Sequence, residues 1–207
     1  MDKIKVSVII PVYNEPELVI RALESIPERK DIEIIVIDDC STDDTWAQIF
    51  QWSVGASPKN FSLSSNEENL GVGMTVNKGY DEAEGEYVVL LGADDCFIPA
   101  KFEQAMNELD GTDLVYFNLQ IRDGSIFTLT EETKYKYCGS TKFMRREFIG
   151  DTRNPNKRVR EDWDFYQELM KKNPTEKFTG ITMKYYNYPR EGSLTWQACH
   201  EEEHDTE

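Results

Sequence analysis

The chain has 207 residues, of which 39% are hydrophobic and 12% aromatic, so it can bury a substantial core and is not wholly disordered. Its 23 basic and 39 acidic residues give a formal net charge of −16, which argues against a general binder of nucleic acids or anionic membranes. No apolar run approaches the length of a membrane span, and the four cysteines form no CxxC pair. We therefore expect a soluble protein in a reducing, cytoplasmic compartment.

The first two thirds of the chain alternate between predicted strands and helices. Short β-branched runs predict strands at residues 5–10, 32–37, 61–64, 86–91 and 113–121. Helices are expected to begin near Pro16, Thr45, Asn69 and Pro99, and Ser41 with Asp44 resembles a capping box. This alternation predicts an α/β domain with a mostly parallel central sheet and helices on both faces. Ligands of such sheets bind beyond the carboxyl ends of the strands.

The last third of the sequence is less regular. We expect a helix at residues 140–148, a loop at 149–160, a helix at 161–172 and an aromatic-rich strand at 178–188. The acidic segment 197–207 is predicted to be a disordered tail. With no internal repeat or linker, residues 1–196 are predicted to form one domain.

Two pairs of aspartates follow predicted buried strands. Asp94 and Asp95 are suited to bind Mg²⁺ or Mn²⁺, or Asp95 caps the next helix. Asp38 and Asp39 follow an earlier strand, where a carboxylate can accept the imide N–H of uracil or serve as a helix cap. The sequence alone leaves both alternatives open for each pair.

Charged residues of the last third suggest two further roles. Asp162 begins an apolar stripe on a predicted helix, so it faces inward and suits a general base, although a helix cap fits equally well. The segment from Lys142 to Arg160 holds seven basic residues against two acidic ones. That excess fits a phosphate-bearing ligand, or a solvated face that balances nearby acids.

Together these segments resemble family 2 glycosyltransferases of the GT-A fold, over about residues 4–196. Six stretches carry the resemblance: VSVIIPVYNE from Val6, IVIDDCSTDDT from Ile35, NLGVG with NKG from Asn69, LLGADD from Leu90, the pair Glu161-Asp162, and EGSLT from Glu191. The resemblance implies a single GT-A, Rossmann-like domain with a nucleotide-binding half at about 1–100 and an acceptor-side half at about 101–196.

The resemblance also implies a role for each matching residue. Pro11 and Tyr13 would line the base, Glu15 would lie near the ribose, and Asp39 would accept the uracil N3–H. Asp94 and Asp95 would hold Mn²⁺ or Mg²⁺ and the donor sugar. Asp162, beside Glu161, would take the proton of the acceptor hydroxyl in an inverting transfer. Five further residues would contribute to donor binding: Asn69, Gly71, Asn77, Ala93 and Arg190.

Three positions depart from the family pattern. Gly92 stands where the metal loop usually has its first Asp, and Val76 stands where an Arg usually precedes Asn77. Arg190 stands where a His often precedes the closing motif, and an arginine can neutralise a diphosphate but cannot ligate a cation. These departures leave strict metal dependence open.

The leading interpretation is a transferase that uses a nucleotide sugar, UDP-linked, on a saccharide or other hydroxyl acceptor, with a possible homo-oligomeric state. One alternative is a nucleotide-sugar binding module without turnover. Another is a transferase that acts on a modified nucleic-acid base held by the segment from Lys142 to Arg160. A dinucleotide-dependent oxidoreductase lacks its GxGxxG motif, and a phosphotransferase lacks its P-loop.

Overall fold

A computed structural model describes residues 3–136 and 139–191, which form one nine-stranded sheet with helices against it. The strands are β1 (Val6–Val12), β2 (Ile32–Asp38), β3 (Phe61–Ser65), β4 (Tyr87–Leu90), β5 (Cys96–Phe97), β6 (Leu114–Ile121), β7 (Ile126–Phe127), β8 (Lys142–Arg145) and β9 (Glu176–Tyr186). The helices are α1 (Pro16–Glu24), α2 (Thr45–Ala56), α3 (Val72–Glu82), α4 (Pro99–Met106), α5 (Arg146–Ile149) and α6 (Glu161–Met170).

The strand order confirms a mostly parallel sheet. It runs β3-β2-β1-β4-β8-β6-β9-β5, with β7 paired to β6. Strands β1 to β4 are mutually parallel. Because β8 is antiparallel to both β4 and β6, and β9 is parallel to β6, six of the nine described strands share one direction.

Two hydrophobic clusters cover the two faces of the sheet. Successive strand side chains point to opposite faces, so Val8 and Ile10 of β1 pack with α1, α2 and α4, whereas Ile9 packs with α3, α5 and α6. Gly79 lets α3 lie directly on β1, because a Cβ there would collide with Ile9. Helices therefore flank both faces, as predicted, and the carboxyl ends of β1, β2 and β4 lie at the same edge of the sheet.

The helix predicted at residues 140–148 was wrong. The structure has strand β8 there, antiparallel to β4 and β6, followed by the four-residue helix α5. Phe143 and Met144 alternate between the two clusters, which suits a strand buried on both faces. Pairing with two distant strands decides the conformation, and that pairing is invisible in the local pattern.

The remaining elements agree with the sequence or were missed by it. The strand expected at 178–188 is β9, which begins and ends two residues earlier. The short strands β5 and β7 were not predicted. In the part of the chain that the structure describes, no helix is long and apolar enough to cross a bilayer. The acidic tail and all of the closing motif after Glu191 lie outside the described residues.

Candidate active site at the carboxyl edge of the sheet

The loops after β1 and β2 are joined directly to each other. Asn14 has a φ of +53°, its backbone N–H donates to Ser41 Oγ, and its side-chain oxygen accepts the Thr42 N–H at 2.8 Å. Ser41 also donates to Asp38. The expected capping box is therefore not formed, because Ser41 joins the two loops instead of capping α2, whose N-terminal residue Asp44 makes no capping hydrogen bond.

Asp39 is buried where β2 meets the start of α3. Its Oδ1 accepts the Leu70 N–H and the Asn66 side-chain amide, and its Oδ2 accepts the Gly71 N–H at 2.8 Å. These donors fill both acceptor positions of Oδ1 and one of the two on Oδ2. The carboxylate is thus held rigidly and keeps one acceptor position for a further N–H donor.

Arg158 holds the loop that surrounds Asp39. Its guanidinium donates to the side-chain oxygen of Asn69 at 2.6 Å and to the Asn69 carbonyl at 3.0 Å. Asn69 in turn donates to the Asp39 carbonyl at 3.3 Å. Gly71, with a φ of +88°, faces the same guanidinium. A residue just before α6 thereby fixes the predicted nucleotide loop.

Asn77, expected to contact the donor, has other partners in the structure. Its amide and the backbone and side chain of Asn154 exchange three hydrogen bonds of 2.8 to 3.0 Å, and both residues are buried. This Asn77–Asn154 clamp ties α3 to the segment that leads into α6. Asn77 thus has a positioning role in the structure, and its contact with the donor stays a prediction.

Asp95 forms a buried ion pair with Lys184 of β9. The Lys184 ammonium lies 2.6 Å from Oδ2 and also donates to Ser140 Oγ, while Oδ1 accepts the Asn187 N–H at 2.9 Å. Burial raises the pKa of the Asp95 carboxyl, and the charge of Lys184 opposes that rise. The structure does not support Asp95 as a metal ligand, because its carboxylate is buried and paired with Lys184, nor as the cap of α4, whose N-cap residue is Ile98.

Asp94 and Glu15 share Arg190. The Arg190 Nε donates to Asp94 Oδ2 at 3.0 Å, and its Nη2 donates to Glu15 Oε1 at 2.6 Å. We call this contact the Arg190 bridge. It connects the loops after β1 and β4 to the segment after β9. No described hydrogen bond uses Asp94 Oδ1, which faces Gly92.

Glu161 and Asp162 are the first two residues of α6, and each lies next to a glycine of another segment. Glu161 packs on Gly73 in the first turn of α3, where a Cβ would lie 2.6 Å from its Cγ. Burial raises the pKa of Glu161. Asp162 is half-buried, and its Oδ2 lies 3.1 Å from the place of a Cβ on Gly139. Gly139 precedes Ser140, the partner of Lys184, so a short chain of contacts joins Asp162 to Asp95.

The other sequence-predicted residues surround these contacts. Tyr13 is exposed just after β1, Pro11 is half-buried within β1, and Ala93 is buried beside Asp94. They line the same edge of the sheet as Asp39 and Asp94.

Most of the basic residues between Lys142 and Arg160 have partners within the protein. Lys142 is buried, with its ammonium 4.7 Å from the centre of the Tyr166 ring. Four others bind acids or backbone oxygens: Arg145 with Asp113, Arg146 with the Gly85 carbonyl, Arg153 with Asp81, and Lys157 with Asp164. The structure therefore supports the interpretation in which this charge balances nearby acids.

Sequence reasoning missed Lys184, Arg158 and Asn154. Lys184 carried a usable signal, because a lysine within an aromatic-rich predicted strand must find a counter-charge if that strand is buried. Arg158 and Asn154 lie in a predicted loop, where Arg158 was noted only as one of the seven basic residues from Lys142 to Arg160, and the pattern gave no signal for their partners. Their partners are 77 to 89 residues away in the chain.

A divalent cation would find one usable carboxylate here. The described residues contain no group of three potential ligands. Mg²⁺ is nevertheless often held by one or two carboxylates together with substrate phosphates. Asp94, through Oδ1, fits that arrangement, whereas Asp95 does not.

Comparison with known proteins identifies similar chains. The model of glycosyl transferase family 2 matches residues 7–182. A PGL/p-HBAD biosynthesis glycosyltransferase of Mycobacterium tuberculosis is 31% identical over 175 residues, which cover 77% of this chain and 67% of that protein. This chain spans 54% and 40% of two further curated relatives, about half of their length.

Two solved structures share the fold. Residues 1–349 of S. aureus TarS in complex with UDP-GlcNAc superimpose with a TM-score of 0.79 at 24% identity, over 92% of this chain and 60% of that TarS chain. The mannosyltransferase PcManGT from Pyrobaculum calidifontis, in complex with GDP-Man and Mn²⁺, gives a TM-score of 0.74 at 20% identity. That match covers 93% of this chain and 59% of PcManGT. The fold is therefore that of GT-A glycosyltransferases.

Proposed function

Since the chain belongs to glycosyl transferase family 2, we propose that it transfers a sugar from a UDP-sugar to an acceptor hydroxyl, with inversion at the anomeric carbon. The observations that carry the proposal are that Asp39 and Asp94 follow the carboxyl ends of the parallel strands β2 and β4, at one edge of the sheet, and that Asp162 is the second residue of α6, whose first residue packs on α3. These three carboxylates supply the nucleotide contact, the diphosphate contact and the base that such a transfer needs.

Asp39 selects uracil through its remaining acceptor position. The uracil N3–H is a donor, whereas N3 of cytosine is an acceptor that a carboxylate repels. Three hydrogen bonds hold the Asp39 carboxylate in place, so little orientational freedom is lost when the base binds. TarS binds UDP-GlcNAc and PcManGT binds GDP-Man on this fold, so the proposal of a uridine donor rests on Asp39.

Asp94 is the residue that would hold a divalent cation, Mn²⁺ or Mg²⁺, at the donor diphosphate. The Mn²⁺ in the PcManGT complex supports this assignment. When bound, the cation would neutralise charge that develops on the leaving diphosphate. Glu15 and Asp94 carry two negative charges and Arg190 one positive charge, so this part of the site has a net charge of −1. A diphosphate therefore needs additional positive charge to bind here.

Asp162 acts as the general base. It removes the proton of the acceptor hydroxyl while that oxygen attacks the anomeric carbon and the nucleoside diphosphate leaves. Glu161, packed on α3, positions the start of α6 and thus Asp162. The acceptor is proposed to be a cell-surface glycan or another saccharide.

Two alternatives make different predictions. A nucleotide-sugar binding module would bind the donor but never release UDP from it. A transferase acting on a modified nucleic-acid base would need free basic groups between Lys142 and Arg160, where most side chains already have partners. The structure thus favours a saccharide acceptor over nucleic acid.

Calorimetric titration with UDP, CDP and GDP, each with and without Mn²⁺, tests the donor assignment. We expect UDP to bind more tightly than CDP, with Mn²⁺ increasing its affinity. Equal affinity for UDP and CDP would contradict the role of Asp39, and no binding of any nucleotide would contradict the proposed function itself.

A further inference from the structure

The Arg190 bridge engages one oxygen, Oδ2, of the carboxylate that would hold the cation, and it places a positive charge beside the other oxygen. The guanidinium donates to Asp94 on one side and to Glu15 on the other, at 3.0 and 2.6 Å. The side chains of these three residues are only 22% to 24% exposed, so water screens the contacts weakly. Asp94 thus has a counter-charge supplied by the protein itself.

The backbone that carries Arg190 is fixed at several points. The Asn187 N–H donates to Asp95, and Arg122 donates to the carbonyls of Tyr188 and Pro189 at 3.3 and 3.1 Å. Arg190 can therefore leave Asp94 by a change in its side-chain conformation alone. The long, flexible side chain can change its partner while the strand-end segment stays in place.

A diphosphate and Asp94 compete for the same guanidinium. Phosphate oxygens accept bidentate hydrogen bonds from arginine as carboxylates do, and a diphosphate carries more charge than one carboxylate. A diphosphate at this edge thus attracts Arg190 away from Asp94 and exposes a carboxylate to a cation. Without a diphosphate, a cation at Asp94 Oδ1 would lie beside the guanidinium, whose positive charge repels it.

We propose that Arg190 closes Asp94 to divalent cations until a nucleotide diphosphate binds, so that cation and nucleotide enter the site together. The inference rests on the proposed function and adds a regulatory role for Arg190 at the same site. Because linkage is reciprocal, each of the two ligands raises the affinity of the other by the same factor.

Mn²⁺ binding to the full chain, measured by electron paramagnetic resonance without nucleotide, tests the proposal. Wild type should bind Mn²⁺ weakly, and Arg190→Gln should bind it about tenfold more tightly, within the usual range of coupling between sites. Adding Asp94→Asn to Arg190→Gln should abolish the gain. Arg29→Gln is a matched control, since Arg29 pairs with Asp31 before β2, at the opposite edge of the sheet, and should leave Mn²⁺ affinity unchanged.

The outcomes separate this inference from the proposed function. Unchanged nucleotide-free Mn²⁺ affinity in Arg190→Gln, or a gain that persists with Asp94→Asn, would overturn the inference even if UDP binds. Failure of UDP to bind wild type would overturn the proposed function, whatever Mn²⁺ does alone. UDP binding with a smaller effect of Mn²⁺ on UDP affinity in Arg190→Gln than in wild type would support both.

Discussion

The Lys184 ammonium lies 2.6 Å from the Asp95 carboxylate, with both side chains almost completely buried. This ion pair joins β9 to the loop after β4, and Lys184 extends the link to Ser140. Asp95, which the resemblance suggested as a metal ligand, therefore helps to hold the loop after β4 against β9.

Removing Lys184 should destabilise the protein strongly. In Lys184→Met, Asp95 would be a buried charge without its partner, and such losses cost about 3–5 kcal/mol of unfolding free energy. Urea unfolding measures the change. Lys171→Met, which removes an exposed pair with Glu168, is the control and should cost no more than about 1 kcal/mol. Similar losses in the two variants would contradict the structural role of Lys184.

Asp39→Asn should weaken UDP binding and reduce the preference for UDP over CDP. The amide loses one acceptor oxygen and offers an N–H, which suits N3 of cytosine better than the N3–H of uracil. We expect the ratio of the two affinities to fall by about tenfold or more, since mismatched polar groups are strongly discriminated. Asp43→Asn in the same loop is the control, and calorimetry measures both. A ratio that stays constant would exclude contact between Asp39 and the base.

Asn77→Ala should reduce stability while leaving UDP affinity unchanged. The substitution leaves the buried N–H and carbonyl of Asn154 without partners, at a cost of about 1–3 kcal/mol. Thermal unfolding and calorimetry on one sample measure the two effects. A clear loss of UDP affinity in a variant that is folded would instead restore the direct donor contact expected from the sequence.

Glu161 should make stability depend on pH. Burial raises its pKa, so the folded protein retains the proton at pH values where the unfolded chain has lost it. Stability from this group is present at low pH and is lost as the pH rises from the ordinary value of 4.5 through the raised folded value. Glu161→Gln should lack this decline. Unfolding measured from about pH 4 to pH 8 tests it.

Glu168→Gln on the exposed side of α6 is the control for Glu161. It should follow the wild-type dependence on pH. If Glu161→Gln also follows it, the carboxylate of Glu161 does not titrate as its burial predicts.

The sequence predicted the parts of the fold that depend on local patterns. The β-branched runs of β1, β2 and β4 identify buried parallel strands, and their order places Asp39 and Asp94 at one edge. Strand β8 was mistaken for a helix because Lys142 to Arg145 acquires its conformation from pairing with β4 and β6. Four residues are too few for the pattern to reveal that pairing.

The candidate site was predictable in its residue types but not in their partners. The acidic residues after two predicted strands and at the start of a predicted helix identified Asp39, Asp94 and Asp162 as candidates. The pairing of each carboxylate with a basic side chain could not be predicted. Lys184 pairs with Asp95 from 89 residues further along the chain, and Arg190 pairs with Asp94 from 96 residues further along. Such distant pairings follow from the tertiary fold. The sequence therefore could not separate Asp94, whose Oδ1 takes part in no hydrogen bond among the described residues, from Asp95, whose two oxygens both have partners.

The most direct test of the account is UDP release from a panel of UDP-sugars with Mn²⁺ and candidate saccharide acceptors. Wild type should release UDP from at least one donor, and Asp162→Asn should lower the rate about 10²–10⁴-fold without changing donor affinity. Asp164→Asn, in the same turn of α6 and paired with Lys157, should retain the activity. Equal rates in wild type and Asp162→Asn, or UDP binding without any release, would contradict a transferase with Asp162 as its base.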